Sequence, residues 1–363
     1  MTRLPQVIVT NFKRRVTGVT TTALRVSDEQ KRSSSFSVAV CGPNQDLNYW
    51  ELLSNGWRRP TSGSDRIWHV RRDPEMMLGL FAKHVLRQPI KLIFTSAAIR
   101  KHSWFPSWLI SKMDAVIATT ELAASFVPHV KAVVGHGVDT QTFKPNLSRA
   151  DEPLRLICVG RIRPEKGTDL IVDALCEILP RYPKVVVEFA GLCMPKEQAF
   201  FDQLKNRLSY AGVADRVTWQ GEVPPKDLPA KLAAAHILLA APTYEGFGLT
   251  PFEAMACGLA VVCTDTGAFA HAVGVPNAET YPVEHMAGVE WKNGEVRQGS
   301  SGLFVNTGDL KAFADAVAKL LDDPTLRQFM ATNAVSRVHE EFTIRHEAAS
   351  IEKVYQEMLT INA

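Results

Sequence analysis

Along almost the whole chain, short apolar runs of four to six residues alternate with longer helical segments, and this happens twice, before and after a polar break at 144–153. A run that is apolar at every position reads as a strand buried on both faces, and strand–helix alternation places such strands in a parallel sheet covered on both sides. In the front half the runs at 6–9, 37–40, 91–95 and 115–118 read as strands. A loop through Gly18 and a helix to about Lys31 follow the first of them, and a short strand and turn occupy 133–139. In the back half strands are expected at 154–159, 185–190, 217–220, 237–241, 260–264 and 302–305. Helices are expected at 168–179, 195–210, 228–235 and 309–321, the last with Leu310, Phe313, Val317 and Leu320 on one face. The fold class is therefore α/β: two doubly wound, Rossmann-like parallel-sheet domains facing a cleft, divided near 147/148 at a segment rich in Pro and Asn.

A chain of 363 residues has room for two such domains, and 22% charged with 46% hydrophobic residues is an ordinary globular composition. No apolar run approaches the roughly 20 residues that span a bilayer. The first residues enter strand-like sequence without the apolar core and cleavage site of a secretory signal, so a cytoplasmic location is expected. The six cysteines sit singly, without a Cys-x-x-Cys pair, which points to reduced core thiols rather than disulfides or a metal site. The net charge of +3 conceals an asymmetry: residues 1–150 hold 21 Lys and Arg against 10 Asp and Glu, the remainder 20 against 28. A basic front half is suited to an anionic membrane surface or a phosphorylated acceptor.

Two loops carry the chemistry. The apolar run 237–241 leads into Tyr244-Glu245-Gly246-Phe247-Gly248-Leu249-Thr250-Pro251-Phe252-Glu253, a strand, glycine loop and helix start, with Thr250 as the expected N-cap and Gly258 closing the helix. Unpaired amides at such a helix start suit an anion, while Glu245 and Glu253 suit hydroxyls. Thr250-Pro-Phe-Glu253 also fits a capping box, in which Glu253 serves the helix alone. The second loop, Gly160-Arg161-Ile-Arg-Pro-Glu-Lys166-Gly167, follows the strand at 154–159. It is neither a Walker A loop nor Gly-x-Gly-x-x-Gly, yet Arg161 and Lys166 offer a forked donor and a point charge for a diphosphate.

The pair Gly160-Arg-x4-Lys166-Gly167 and Glu245-Gly-Phe-Gly-Leu-x-x-x-Glu253 resembles the donor site of family 4 retaining glycosyltransferases of the GT-B fold. The similarity extends from His136-Gly-Val-Asp139 with Phe143 and Pro145 to Gly302-Leu-Phe-Val305. Within that family Lys13-Arg14-Arg15-Val-Thr-Gly18 and Met113-Asp-Ala-Val-Ile-Ala-Thr-Thr120 look most like bacterial lipopolysaccharide core mannosyltransferases. The resemblance implies that the last helix, within 343–363, returns to complete the first domain, which holds the acceptor, while 148–342 binds the donor.

By the same resemblance, Arg161 and Lys166 neutralise the leaving diphosphate, helped by amides from Phe247 through Leu249 to Thr250. Glu245 accepts hydroxyls of the transferred sugar, Glu253 those of the ribose, and Gly18 allows close approach to the β-phosphate. Lys13, Arg14 and Arg15 are candidate acceptor ligands and His102 the candidate base, whereas His271 stands where relatives often have Glu. No metal and no cofactor is implied beyond the nucleotide-sugar substrate, for which GDP-mannose is expected. The partner is an anionic glycolipid rather than nucleic acid, met at the cytoplasmic face of the inner membrane. Two other readings share the architecture: a nucleotide-sugar epimerase or phosphorylase, and a nucleotide-sugar-binding protein without turnover.

Overall fold

The structure is a computed structural model that describes residues 4–13, 18–60, 63–150, 152–274 and 294–360, with Val19 described by its backbone alone. The chain divides into two compact units, Met1–Gly137 with Thr343–Ala363, and Val138–Phe342.

In the first unit, β1 (Val7–Thr10), α1 (Gly18–Ser33), β2 (Val38–Cys41), α2 (Tyr49–Asn55), β3 (Arg66–Val70), α3 (Asp73–His84), β4 (Ile90–Ser96), α4 (Trp104–Ser111), β5 (Ala115–Ala118), α5 (Glu121–Ala124) and β6 (Val130–Val133) succeed one another. The strands form one parallel sheet in the order β2-β1-β3-β4-β5-β6. Side chains from alternate positions feed a core on each face: Ile8, Trp68, Leu92 and Val116 on one, Val7, Val9, Ile67 and Ile93 on the other. The second of these cores is closed by the helix Ile344–Thr360 through Ile351, Val354, Tyr355 and Met358.

Strand β3 is absent from the sequence expectation because Arg66-Ile-Trp-His-Val70 contains two polar residues, although every position is buried. Arg66 is tolerated there because its guanidinium donates to the carbonyls of Pro5 (2.8 Å), Gly56 (2.7 Å) and Arg58 (2.8 Å). His69 sits between the Tyr355 hydroxyl and Thr95 Oγ1, each 2.6 Å away. The outer faces of α3 and α4, which pack side by side, stay apolar: Trp104 is 79% exposed, and Trp108, Phe105, Met77, Phe81 and Val85 are also exposed.

In the second unit, β7 (Leu154–Val159), α6 (Thr168–Ile178), β8 (Val185–Ala190), α7 (Gln198–Tyr210), β9 (Val217–Gly221), α8 (Leu228–Ala234), β10 (Ile237–Ala240), α9 (Thr250–Ala256), β11 (Ala260–Thr264), α10 (Phe269–Val273), β12 (Arg297–Gln298) and β13 (Gly302–Val305) precede two long helices, Leu310–Asp322 and Pro324–Glu341. The order is β12-β13-β11-β10-β7-β8-β9, with only β12 antiparallel. The boundary falls ten residues before the one read from sequence. The polar segment is not a free linker: Val138 and Phe143 are buried in the second unit's core, and Asn146 donates to the carbonyls of Cys257 (3.1 Å) and Ala233 (3.0 Å). Arg149 bonds the carbonyls of Cys257 (2.7 Å) and Gly258 (2.9 Å). All six cysteines are free thiols. Burial pushes Cys41, Cys158 and Cys257 up to about 12, so they are packing groups rather than nucleophiles.

Candidate active site

From β7 the second sheet grows outward through β8 to β9, and the chain then returns to lay β10 on the other flank of β7. At such a reversal the loops leaving the carboxyl ends of the two central strands diverge, and a crevice opens between them. The loop after β7 carries Arg161 and Lys166; the loop after β10 carries Glu245. Their mutual position is fixed by backbone. Gly160 and Ile162 donate to the carbonyls of Ala190 (3.0 Å) and Leu192 (3.1 Å), and Pro164–Lys166 form a 3-10 turn. Gly167 closes that turn at φ 62°, and a Cβ there would stand 1.7 Å from the Ala241 carbonyl oxygen. Thr243 N–H then reaches the Glu165 carbonyl at 3.1 Å.

The consequence is that Lys166 Nζ donates to Glu245 Oε2 at 2.5 Å, both side chains remaining about a quarter exposed at 27% and 22%. A cation and a carboxylate held side by side in a crevice suit a ligand that presents both anionic oxygens and hydroxyls. Arg161 is exposed at the start of the same loop and makes no hydrogen bond or ion pair among the described residues.

The loop after β10 folds back on itself. Gly248 has φ 85°, and a Cβ on it would lie 2.2 Å from the Phe269 ring; one on Gly267 would lie 2.7 Å from the Phe247 carbonyl oxygen. Ala268 N–H donates to that same oxygen at 2.9 Å. Phe247 itself is buried and stacks on Phe252 at 5.1 Å, so its ring belongs to the core and only its backbone faces the loop. Gly246, Leu249, Thr250 and Glu253 are half-buried along the loop and the first turn. The expected cap is corrected by one residue. Leu249 holds the N-cap in helical conformation without a side-chain bond, Thr250 is already the first residue of α9, and the Thr250–Glu253 capping box does not form. Pro251 at the second helical position is compatible with this earlier start because it has no N–H to satisfy. His271 is tied into packing, its ring edge-on to Phe342 at 5.1 Å and its carbonyl accepting from Arg337 Nη2 at 3.0 Å.

The remaining sequence-derived candidates lie in the first unit. Gly18 opens α1 with open space where a Cβ would stand. Lys13 is exposed, and Arg14 and Arg15 lie outside the described residues. His102 lines a cavity of about 490 Å³ together with Thr22, Arg71, Arg72, Thr95 and His136. Burial lowers the His102 pKa below the ordinary histidine value; Asp73 opposes this and Arg100 adds to it. Two further features of this unit escaped the sequence reading. Glu75, fully buried, gathers Thr10 Oγ1 (3.1 Å) and the backbone N–H groups of Phe12 (3.2 Å) and Arg71 (2.7 Å). His136 Nδ1 lies 2.9 Å from Glu347 Oε1. Both depend on residues far apart in the chain, and no local spacing announces them.

The sequence profile described as "Glycosyl transferases group 1" matches residues 139–277. Over 98% of its length the chain is 36% identical to the lipopolysaccharide core biosynthesis mannosyltransferase LpcC of Rhizobium leguminosarum bv. viciae, covering 97% of that protein. It is 34% identical to LpsB of Rhizobium meliloti (strain 1021), a protein of the same description, with 98% of each covered. The crystal structure of Anabaena Alr3699/HepE in complex with UDP shares the fold at a TM-score of 0.75, with 16% identity over 97% of this chain and 100% of that one. With its two parallel-sheet units of the GT-B type, the loops after β7 and β10 at a strand-order reversal and relatives matched end to end, the chain belongs to the group 1 glycosyltransferases.

Proposed function

We propose that the protein is a retaining, metal-independent hexosyltransferase that moves mannose from GDP-mannose onto a lipopolysaccharide core or a similar anionic glycolipid. The observation that carries the reading is the Lys166–Glu245 pair at the crevice between β7 and β10. The choice of sugar and acceptor is supported by the names of the two relatives.

When the donor binds, its diphosphate takes over the ammonium of Lys166 and the guanidinium of Arg161, and a hydroxyl of the sugar occupies Glu245. Backbone amides from Phe247 to Thr250 add a fixed positive field, and Glu253 receives the ribose. The anomeric C–O bond to the β-phosphate breaks while the acceptor oxygen bonds the same carbon on the same face. The acceptor proton passes to the departing phosphate oxygen, whose developing charge the two cations hold until the proton arrives, and the nucleoside diphosphate then leaves. Preorganised charge at the leaving group lowers such a barrier more than any other single device. His102, whose pKa burial lowers, accepts a hydrogen bond from the acceptor hydroxyl as that proton leaves.

The protein meets the membrane through α3 and α4 of the first unit. Helix α4 carries no charged residue, and its exposed Trp104 and Trp108 lie between exposed Arg100, Lys101 and Lys112. Tryptophans at the headgroup level with lysine and arginine around them match the interface of an anionic bilayer.

The test is incubation of the purified protein with radiolabelled GDP-mannose, UDP-glucose or ADP-glucose and deacylated core oligosaccharide, with and without EDTA. Acceptor-dependent transfer from GDP-mannose, unchanged by EDTA and giving an α-linked product, is expected. Binding without transfer, or release of an isomerised nucleotide sugar, overturns the proposal.

A further inference from the structure

The order of the first sheet reverses between β1 and β3, so its own crevice opens beside the carboxyl end of β3. Arg71 stands there, one residue beyond the strand, and lines the 490 Å³ cavity. It is only 9% exposed, and its Nε is buried without a partner among the described residues. Every other described arginine buried to this degree has an oxygen to hold. Arg66 has three carbonyls, Arg297 donates to Asn306 Oδ1 (2.5 Å) and Arg327 to the Leu320 carbonyl (2.7 Å). Next to it, Arg72 donates to Asn11 Oδ1 (2.8 Å), Thr20 Oγ1 (3.0 Å) and Glu75 Oε1 (3.2 Å).

An uncompensated buried guanidinium is costly. The carboxylates of Glu347 and Glu75 act on Arg71 only at longer range, without an ion pair. Two further buried polar atoms of the same cavity are also without partners among the described residues: Ser96 Oγ and His102 Nε2. Thr95, also in the lining, has its hydroxyl oriented by His69. The one acid of the lining is Asp73, and the cavity has the volume of a small-ligand site. A guanidinium fork, a hydroxyl and an imidazole facing one space match a sugar ring that carries a single oxyanion.

We infer that this cavity seats the acceptor's anionic sugar: Arg71 pairs with its carboxylate or phosphate, while Ser96 and His102 hydrogen-bond its hydroxyls. The inference rests on the reading of the protein as a glycosyltransferase with an anionic acceptor, and it moves recognition of that charge from Lys13, Arg14 and Arg15 to Arg71.

Saturation-transfer NMR on the full chain, with glucose, glucuronate and glucose 6-phosphate as probes, tests it without turnover. Both charged sugars are expected to bind and glucose to bind at least tenfold more weakly; preference for glucuronate identifies a carboxylate acceptor, preference for glucose 6-phosphate a phosphorylated one. Arg71→Met removes the charge and keeps the stem, and should abolish binding of both charged sugars, with partial recovery in Arg71→Lys. GDP binding, which belongs to Lys166 in the other unit, reports that the variant is folded. In the transfer assay Arg71→Met should raise the acceptor KM at least tenfold and leave the donor KM unchanged. Equal binding of neutral and charged sugars, or wild-type affinity in Arg71→Met, overturns the inference. Charged-sugar binding in a protein that transfers from no donor would instead defeat the functional proposal and leave the oxyanion site standing.

Discussion

Lys166 and Glu245 satisfy one another in the structure, so each is held ready for a ligand group of opposite character without a large rearrangement. Replacing Lys166 with Met removes one of two cations at the leaving group and is expected to lower turnover roughly 10²–10³-fold. Its site is a loop outside both cores and the change unpairs Glu245, so stability should fall by no more than about 1 kcal/mol. Label transfer and calorimetry on the same sample separate these effects, and near-wild-type transfer would remove Lys166 from the mechanism. Both partners were legible in sequence because they sit in short motifs, but their contact was not: 79 residues separate them, and the backbone of Gly167 against Ala241 decides the geometry. Phe247 shows the opposite case. Its ring packs on Phe252 in the core, while its backbone remains part of the loop.

Among the elements, those whose residues are uniformly apolar were readable, and the one built around buried polar groups was not. Strand β3 contains Arg66 and His69, each satisfied by partners from distant segments, and nothing in five residues of sequence reports such satisfaction. Without β3, the crevice at its end and the place of Arg71 are invisible in the sequence. The start of α9 moved by one residue because a helical Leu249 precedes Pro251 as readily as a capping Thr250 would. Helix α4 makes a prediction of its own. Trp104→Ser with Trp108→Ser removes two exposed rings, leaves the buried Leu109 and Ile110 in place, and should reduce sedimentation with anionic vesicles at least tenfold while solution transfer to a deacylated acceptor persists. Undiminished sedimentation would place the membrane contact elsewhere.

For the molecule as a whole, His69 builds a sensitivity to acid into the first unit. Burial, reinforced by the Arg71 guanidinium, holds His69 well below the usual histidine value, between Tyr355 of the helix Ile344–Thr360 and Thr95 of β4. The unfolded chain takes up that proton near 6.5 and the folded chain resists it, so the stability His69 contributes is complete above about pH 6.5 and is lost as pH falls toward the folded value. Hydrogen exchange followed from pH 7.5 to 5 is expected to show β3 and β4 losing protection, and His69→Gln is expected to flatten that loss. Undiminished protection of β3 and β4 would contradict this, as would an unchanged profile in His69→Gln.

The helix Ile344–Thr360 has one more consequence, for biosynthesis. Ile351, Val354, Tyr355 and Met358 fill a core whose other walls are strands from the opening of the chain. On the ribosome the continuous stretch 138–342 can finish folding while those early strands still lack their cover, so translation order and folding order run opposite to one another. The face of the nascent first sheet that carries Val7, Val9, Ile67 and Ile93 lacks its final cover until the end of synthesis, and apolar surface left open in that way is what chaperones shield.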